Sequence, residues 1–175
     1  MLYVLVGMPG SGKSCMARAM SKKLGMEMID ADKLIEQREG KELHEIIRES
    51  GLDEFKRIEE EVLLSIDSDK DVIVATGGSA VYYERAMTRF KEIGKVIYLY
   101  VSFETMKERI GDFSKRGIAM RPDQTIKDVY DEREALYRRY ASIIIDCDGT
   151  DYYEYRNSVA RAINYRKTKN KIKQK

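Results

Sequence analysis

The chain has 175 residues, of which 35% are charged, and its formal net charge is only +2. This length allows one sizeable α/β domain and is too short for two, and the balanced charge favours neither a nucleic-acid-binding nor a membrane-surface protein. The two cysteines, Cys15 and Cys147, fit no disulfide framework and no metal spacing. We therefore expect a single cytoplasmic domain that does not bind nucleic acid or membranes.

The chain opens with an apolar segment, residues 2–6, which predicts a buried strand and carries no basic leader typical of a signal peptide. Residues 7–14 follow with the sequence G-M-P-G-S-G-K-S, which matches the phosphate-loop pattern G-x-x-x-x-G-K-[ST] between a strand and a helix. Backbone N–H groups of such a loop face an anion, Lys13 reaches the β- and γ-phosphates, and Ser14 places its hydroxyl on Mg²⁺. The alternative is an ordinary glycine-rich turn, but strand, loop and Lys-Ser are all in place. The segment predicts a site for a nucleoside triphosphate.

A short strand over residues 27–29 leads to two carboxylates, Asp30 and Asp32. The carboxyl ends of strands are where open α/β sheets bind ligands. One carboxylate could hold a water on Mg²⁺ and the other could accept a proton from an attacking hydroxyl. The alternative is that one of them only caps the helix that begins near Lys33.

From residue 34 the pattern predicts two helices separated at Gly40, a turn at Gly51 and a longer helix to Ile66. On the longer helix Lys56 and Glu59 are three residues apart and within pairing distance, which is also the spacing of an ordinary surface ion pair.

Further strands are predicted over residues 71–75, 96–101 and 142–146, with helices over 103–109, over 124–139 and at the C-terminus. The first of these strands ends in T-G-G-S, residues 76–79, where glycines allow close approach of a ligand. Residues 111–123 contain glycine, proline and arginine with little periodicity, as in a mobile loop that closes over a phosphoryl-transfer site. Strands alternating with helices predict an α/β fold with a parallel sheet covered on both faces.

The C-terminal segment, residues 166–175, contains six lysines and arginines, so the rest of the chain is mildly acidic. Such a tail either contacts nucleic acid or anionic surfaces or is a solvated, frayed end, and the second interpretation is favoured. The predicted organisation is one domain over residues 1–165, followed by this basic tail.

Taken together, the motifs resemble the shikimate kinase family, from Leu2 to about Ile163. The distinctive features are D-A-D-K-L-I-E-Q-R-E-G over residues 30–40, F-K-x-x-E over 55–59, T-G-G over 76–78, and Arg133 before Leu-Tyr. The resemblance implies a three-layer P-loop kinase fold with a five-stranded parallel sheet. It also implies a small substrate-binding helical region at about residues 32–60 and a lid at about residues 111–123. The implied reaction is transfer of the γ-phosphoryl group of ATP to the 3-hydroxyl of shikimate with Mg²⁺, in aromatic amino-acid biosynthesis, and we expect a monomer.

The resemblance also implies roles for individual residues. Lys13, Asp32 and Arg116 would be catalytic, the last as the lid arginine, and Ser14 and Asp30 would support the metal. The substrate would lie against Asp32, Lys56, Gly77, Gly78 and Arg133. ATP would be bound by Gly10, Ser11, Gly12, Lys13, Ser14, Cys15 and Arg109, the last stacked on adenine.

Three features depart from the family pattern. Lys56 replaces an arginine whose planar fork suits a carboxylate, Ser79 replaces a third glycine, and the lid has R-G-I-A from Arg116 where Arg-Pro-Leu-Leu is usual. These departures leave the kinase chemistry intact and leave the acceptor open, and two further hypotheses stand beside the first. One is a related kinase that acts on another hydroxylated acid or a nucleoside monophosphate. The other is a non-catalytic nucleotide-binding module.

Overall fold

The computed structural model describes residues 1–111, 120, 123–149 and 151–172, with side chains as far as residue 163. Its centre is one five-stranded sheet in which every neighbouring pair of strands is parallel, in the order β2-β3-β1-β4-β5. The strands are β1 (Leu2–Val6), β2 (Glu27–Asp30), β3 (Val72–Ala75), β4 (Gly94–Tyr100) and β5 (Ile143–Asp146).

Helices connect the strands along the whole described chain. They are α1 (Lys13–Leu24), α2 (Ala31–Glu39), α3 (Leu43–Ser50), α4 (Leu52–Ser65), α5 (Glu84–Ile93), α6 (Phe103–Ile110), α7 (Ile126–Tyr140) and α8 (Tyr152–Ile172). A single 3₁₀ turn, Ala80–Tyr82, lies between β3 and α5. The predicted α/β fold with its five-stranded parallel sheet is confirmed.

The apolar sequence of the central strands fits a sheet that is covered on both faces. Every residue of β1 and of β3 is buried, so these strands have a continuous apolar sequence rather than an alternating one. Helix α1 packs against β3 and α8, and α5 packs against β4.

A second, smaller core lies within α2, α3 and α4. It is separate from the core around the sheet, so these three helices form a packed unit of their own beside the carboxyl edge of the sheet. Its buried members are Ile35, Ile46, Phe55, Ile58 and Val62.

The carboxyl ends of β1 and β3 are joined directly. Thr76 follows β3, and both its backbone N–H and its hydroxyl donate to the carbonyl oxygen of Leu5, at 3.3 and 3.0 Å. Gly7 follows β1, where a Cβ atom would lie 2.7 Å from the carbonyl oxygen of Leu99. Only glycine fits that position, so the loop after β1 begins pressed against β4.

Three observations bear on the remaining expectations. Helix α5 was not among the predicted helices, and α8 continues through residues 166–172 of the predicted tail. Most of the predicted lid, residues 112–119 and 121–122, lies outside the described residues, and so does Arg116. In the part of the chain that the structure describes, no helix combines the length and apolar character needed to cross a bilayer.

Candidate active site

The loop after β1 encloses the side chain of Lys13, the first residue of α1. The Lys13 ammonium donates to the carbonyl oxygens of Gly7 and Met8, at 2.7 and 3.0 Å, and the residue is only 8% exposed. Gly10 has a positive φ of 80°, and a Cβ there would lie 3.0 Å from a side-chain carbon of Ile110. The loop therefore needs glycine at this position to fit against α6.

The environment of Lys13 changes its acid-base behaviour. Burial is the main cause that lowers its pKa from 10.5 to about 8, and the positive charge of Arg133 acts in the same direction. The carboxylates of Asp32 and Asp30 oppose this shift. An ammonium with a pKa near 8 is still mostly charged at neutral pH, as a phosphate ligand requires.

The rest of the loop fits a bound triphosphate. The first turn of α1 carries no acidic side chain, so nothing there repels an anion at the helix N-terminus. Gly12 and Ser14 line the cavity together with Lys13, and Cys15, with an exposed free thiol, lies beside them. Ser11 is fully buried, and among the described residues its hydroxyl has no hydrogen-bond partner.

Of the two residues expected near Mg²⁺, one lines the cavity and the other acts on Lys13 from the end of β2. Ser14 lines the cavity, whereas Asp30 lies at the end of β2 outside the lining. Asp30 is the N-cap residue of α2, but its side chain makes no capping hydrogen bond. No three histidine, cysteine or carboxylate side chains of the described chain converge on a metal position. This fits Mg²⁺ held by one hydroxyl, phosphate oxygens and water rather than by a protein cage.

Asp32 lies in the first turn of α2 and faces the cavity. Burial is the main cause that raises its pKa, the charge of Lys13 opposes the shift, and the carboxylates of Asp30 and Glu36 add to it. A Cβ on Gly77 would lie 2.9 Å from Asp32 Oδ1 and 2.7 Å from Glu59 Oε1. Gly77 thus brings the backbone after β3 between two carboxyl groups.

Arg133 provides the second buried positive charge. It lies on α7, is 1% exposed, and lines the same cavity. Its Nε is 3.3 Å from the hydroxyl of Tyr82, and its guanidinium lies 5.2 Å from the centre of the Tyr82 ring. Gly78 passes directly beside it, since a Cβ there would lie 3.2 Å from Arg133 Nη1 and 2.9 Å from Pro9 Cδ.

These groups share one cavity of about 650 Å³. It brings together most of the predicted site residues, from the phosphate loop to the backbone after β3 and to α7. The predicted residues in its lining are Gly10, Gly12, Lys13, Ser14, Cys15, Asp32, Gly77, Gly78, Arg109 and Arg133.

Ser11 and Lys56 lie outside this lining, and Arg109 lies at its rim. Ser11 is buried beneath the loop. Lys56 lines a neighbouring depression of about 300 Å³, where its side chain is 48% exposed and its ammonium lies 3.6 Å from Asp53 Oδ1. Arg109 is exposed at the cavity rim and donates to the carbonyl oxygen of Cys147 at 2.9 Å.

The sequence did not single out Glu59, Ser79 and Tyr83 as site residues. Glu59 is 2% exposed, and its carboxylate accepts hydrogen bonds from both hydroxyls. One signal was present, because Glu59 falls on the helix face that also carries Phe55, Ile58 and Val62. A carboxylate on an apolar helix face is buried with that face, so it needs hydrogen-bond donors from other buried groups.

Comparisons with known proteins identify the family of this chain. The shikimate kinase family model matches residues 9–164. The shikimate kinase of Persephonella marina is 33% identical over 155 residues, covering 89% of this chain and 94% of its own. The shikimate kinase of Mycobacterium avium is 38% identical over 145 residues, covering 82% of each.

Solved structures agree as well. A shikimate kinase from Acinetobacter baumannii in complex with shikimate superposes with a TM-score of 0.83 at 28% identity, covering 95% of this chain and 94% of that one. The Aquifex aeolicus shikimate kinase gives a TM-score of 0.80 at 27% identity, covering 94% and 96%. From the phosphate loop to the last helix, this chain belongs to the shikimate kinase family, whose members are ATP- and Mg²⁺-dependent kinases.

Proposed function

We propose that this chain transfers the γ-phosphoryl group of ATP to the 3-hydroxyl of shikimate. The observation that carries the proposal is the shared cavity, in which Lys13 of the phosphate loop faces Asp32 and the buried Arg133. Family membership and the Acinetobacter baumannii relative solved with shikimate support the same acceptor.

In this proposal the phosphate loop binds and orients the nucleotide. Backbone N–H groups from Gly10 to Cys15 and the Lys13 ammonium would hold the β- and γ-phosphates, and Ser14 and Asp30 would support Mg²⁺. When bound, Mg²⁺ would help to neutralise the charge that develops on the transferred group. Arg109, beside the loop at the rim, is assigned to adenine.

Asp32 is proposed as the base that receives the proton of the attacking hydroxyl. It lines the cavity together with Lys13 of the phosphate loop, and its raised pKa brings its proton affinity closer to neutral pH. A general base is most effective when its pKa lies near the working pH.

The acceptor is proposed to bind between α2, α4 and α7, in the region of about residues 32–60 together with Arg133. The guanidinium of Arg133 would hold the acceptor carboxylate through its planar fork. Gly77 and Gly78 lack side chains, so a ring can approach the backbone there. Lys56 would reach the carboxylate from the neighbouring depression as a single point charge.

The remaining predictions concern organisation. We infer a single catalytic domain over residues 1–165, a basic segment over 166–175, and a lid over about 111–123 that carries Arg116. We also infer a cytoplasmic monomer whose partner is a small molecule rather than nucleic acid or a membrane.

The test is release of ADP from Mg-ATP with and without shikimate, with gluconate and nucleoside monophosphates as parallel acceptors. We expect ADP release that saturates with shikimate alone. Release that depends on another acceptor, from a protein that still binds ATP, would reject shikimate as the substrate and point to the changed residues Lys56 and Ser79.

A further inference from the structure

The buried carboxylate of Glu59 is held from both ends of one short turn. Ser79 Oγ, just before the 3₁₀ turn, lies 2.8 Å from Oε1 and 2.7 Å from Oε2 of Glu59. The hydroxyl of Tyr83, just after the turn, donates to Oε2 at 2.7 Å. This hydroxyl clamp, Ser79 with Tyr83, ties α4 to the backbone that follows β3.

Lys56 does not share in this arrangement. Although it lies on the same helix one turn before Glu59, it makes no ion pair with Glu59 among the described residues, and its ammonium faces Asp53. The hydrogen-bond donors to the Glu59 carboxylate therefore come from the hydroxyl clamp and not from the ammonium of Lys56.

The charged groups around Glu59 come from three elements. Asp32 on α2 and Arg133 on α7 act on it across the cavity, and Lys13 on α1 faces Asp32 in turn. Burial is the main cause that raises the pKa of Glu59, and the Asp32 charge adds to this. The hydrogen bonds from the hydroxyl clamp and the charge of Arg133 oppose it.

We propose that Ser79 is a positioning residue, whose hydroxyl keeps the Glu59 carboxylate ionised and in place beside Gly77. An ionised Glu59 gives the buried guanidinium of Arg133 a counter-charge and so fixes how that guanidinium is presented to the acceptor. Ser79 lines the cavity, and among the described residues both hydrogen bonds of its hydroxyl are with Glu59, so its effect is exerted through that carboxylate. The assignment rests on the proposed acceptor binding, since Arg133 is the group that it orients.

The direct test is a ¹³C NMR titration of the Glu59 carboxyl carbon in the nucleotide-free protein, with the signal assigned by its loss in Glu59→Gln. Removing one donor to a carboxylate should raise the midpoint by about one pH unit in Ser79→Ala. Tyr83→Phe should shift it in the same direction. Ser21→Ala removes a hydrogen bond to Met26 far from the cavity and should leave the midpoint unchanged.

The second measurement is the pH dependence of kcat/KM for shikimate. The acid limb contains the ionisation of both Asp32 and Glu59, and its Glu59 component should move to higher pH by a similar amount in Ser79→Ala. The shift should vanish when Ser79→Ala is made in the Glu59→Gln background, where the Asp32 component remains. A role for Ser79 in packing alone would lower kcat at every pH and would not depend on Glu59.

The outcomes separate the positioning role of Ser79 from the proposed reaction with shikimate. An unchanged carboxyl midpoint in both donor variants would overturn the hydroxyl clamp, and a shifted midpoint with an unmoved acid limb would overturn the positioning role. A shifted midpoint in a protein that phosphorylates another acceptor would reject the proposed substrate while supporting the clamp, with the acid limb then measured on that acceptor.

Discussion

The hydroxyl of Tyr137 donates a hydrogen bond of 2.7 Å to the carbonyl oxygen of Gly78. Tyr137 is fully buried on α7, one helical turn after Arg133, and its ring stacks on that of Tyr98 with centres 4.9 Å apart. The bond fixes the glycine backbone that passes beside the Arg133 guanidinium. One tyrosine thus links the packing of α7 on the sheet to the wall of the acceptor cavity.

The two stacked tyrosines give a matched pair of variants. Tyr137→Phe leaves the Gly78 carbonyl without its donor and should destabilise the protein by about 1 kcal/mol. It should also raise the KM for the acceptor. The Tyr98 hydroxyl is buried and has no hydrogen-bond partner among the described residues, so Tyr98→Phe should be neutral or stabilising. Urea unfolding of both variants checks this, and equal losses of stability would show that the Tyr137 hydrogen bond contributes nothing.

Gly78 should not tolerate a side chain. In Gly78→Ala the new Cβ would meet Pro9 of the phosphate loop and Arg133 together, so we expect kcat/KM for the acceptor to fall by about 100-fold or more. The matched control is Gly40→Ala, where a Cβ meets nothing within 4 Å and the cost is only that of the positive φ. That control should lose about 1 kcal/mol of stability and keep its turnover. Normal acceptor kinetics in Gly78→Ala would contradict the close approach.

Nucleotide binding should weaken at high pH because Lys13 loses its proton with a pKa of about 8 in the nucleotide-free protein. Bound phosphate favours the charged ammonium, so binding raises this pKa, and the Kd for Mg-ADP should increase up to about tenfold per pH unit above it. Calorimetric titrations with Mg-ADP at pH values from about 6.5 to about 9.5 measure this change in Kd. Lys13→Arg remains charged throughout and should show a weaker but flat affinity. A flat profile in the wild type would contradict the lowered pKa.

Arg133 and Lys56 should differ in importance because one is buried and the other is exposed. Truncating a fully buried charged group that faces the acceptor costs about 2–5 kcal/mol, so Arg133→Met should reduce kcat/KM for shikimate by about 100-fold or more. Lys56→Met should reduce it by less than about tenfold, since an exposed ammonium is screened by solvent. A larger effect at Lys56 would mean that the acceptor carboxylate lies in the neighbouring depression.

Much of this fold follows from local sequence signals. The buried strands, the phosphate loop and the glycines after β3 are specified by contiguous residues, and the strand and helix bounds agree within about two residues, the usual uncertainty of helix ends. Helix α5 was not predicted, although its apolar residues Ala86, Met87, Phe90 and Ile93 recur at helical spacing and its other positions are charged or polar.

The site could be predicted only in part. The residues of the phosphate loop, Asp32 and Arg133 could be placed because their motifs are distinctive. The partners of Glu59 could not, because Ser79 and Tyr83 come from a turn 20 or more residues away, and a helical spacing of three suggested Lys56 instead. Lys56 is not the partner of Glu59 because the face of α4 that carries Glu59 is buried, whereas Lys56 faces solvent.

The most direct test of the account is ³¹P NMR of the wild type and Asp32→Asn incubated with Mg-ATP and shikimate. The wild type should give ADP and an equal amount of a phosphate monoester whose phosphorus couples to the proton on C3 of shikimate. Asp32→Asn should bind Mg-ADP with similar affinity and form that product at least about 100-fold more slowly, since it lacks the base. Inorganic phosphate as the only new signal in the wild type, or unimpaired transfer by Asp32→Asn, would contradict the assigned reaction and the role of Asp32.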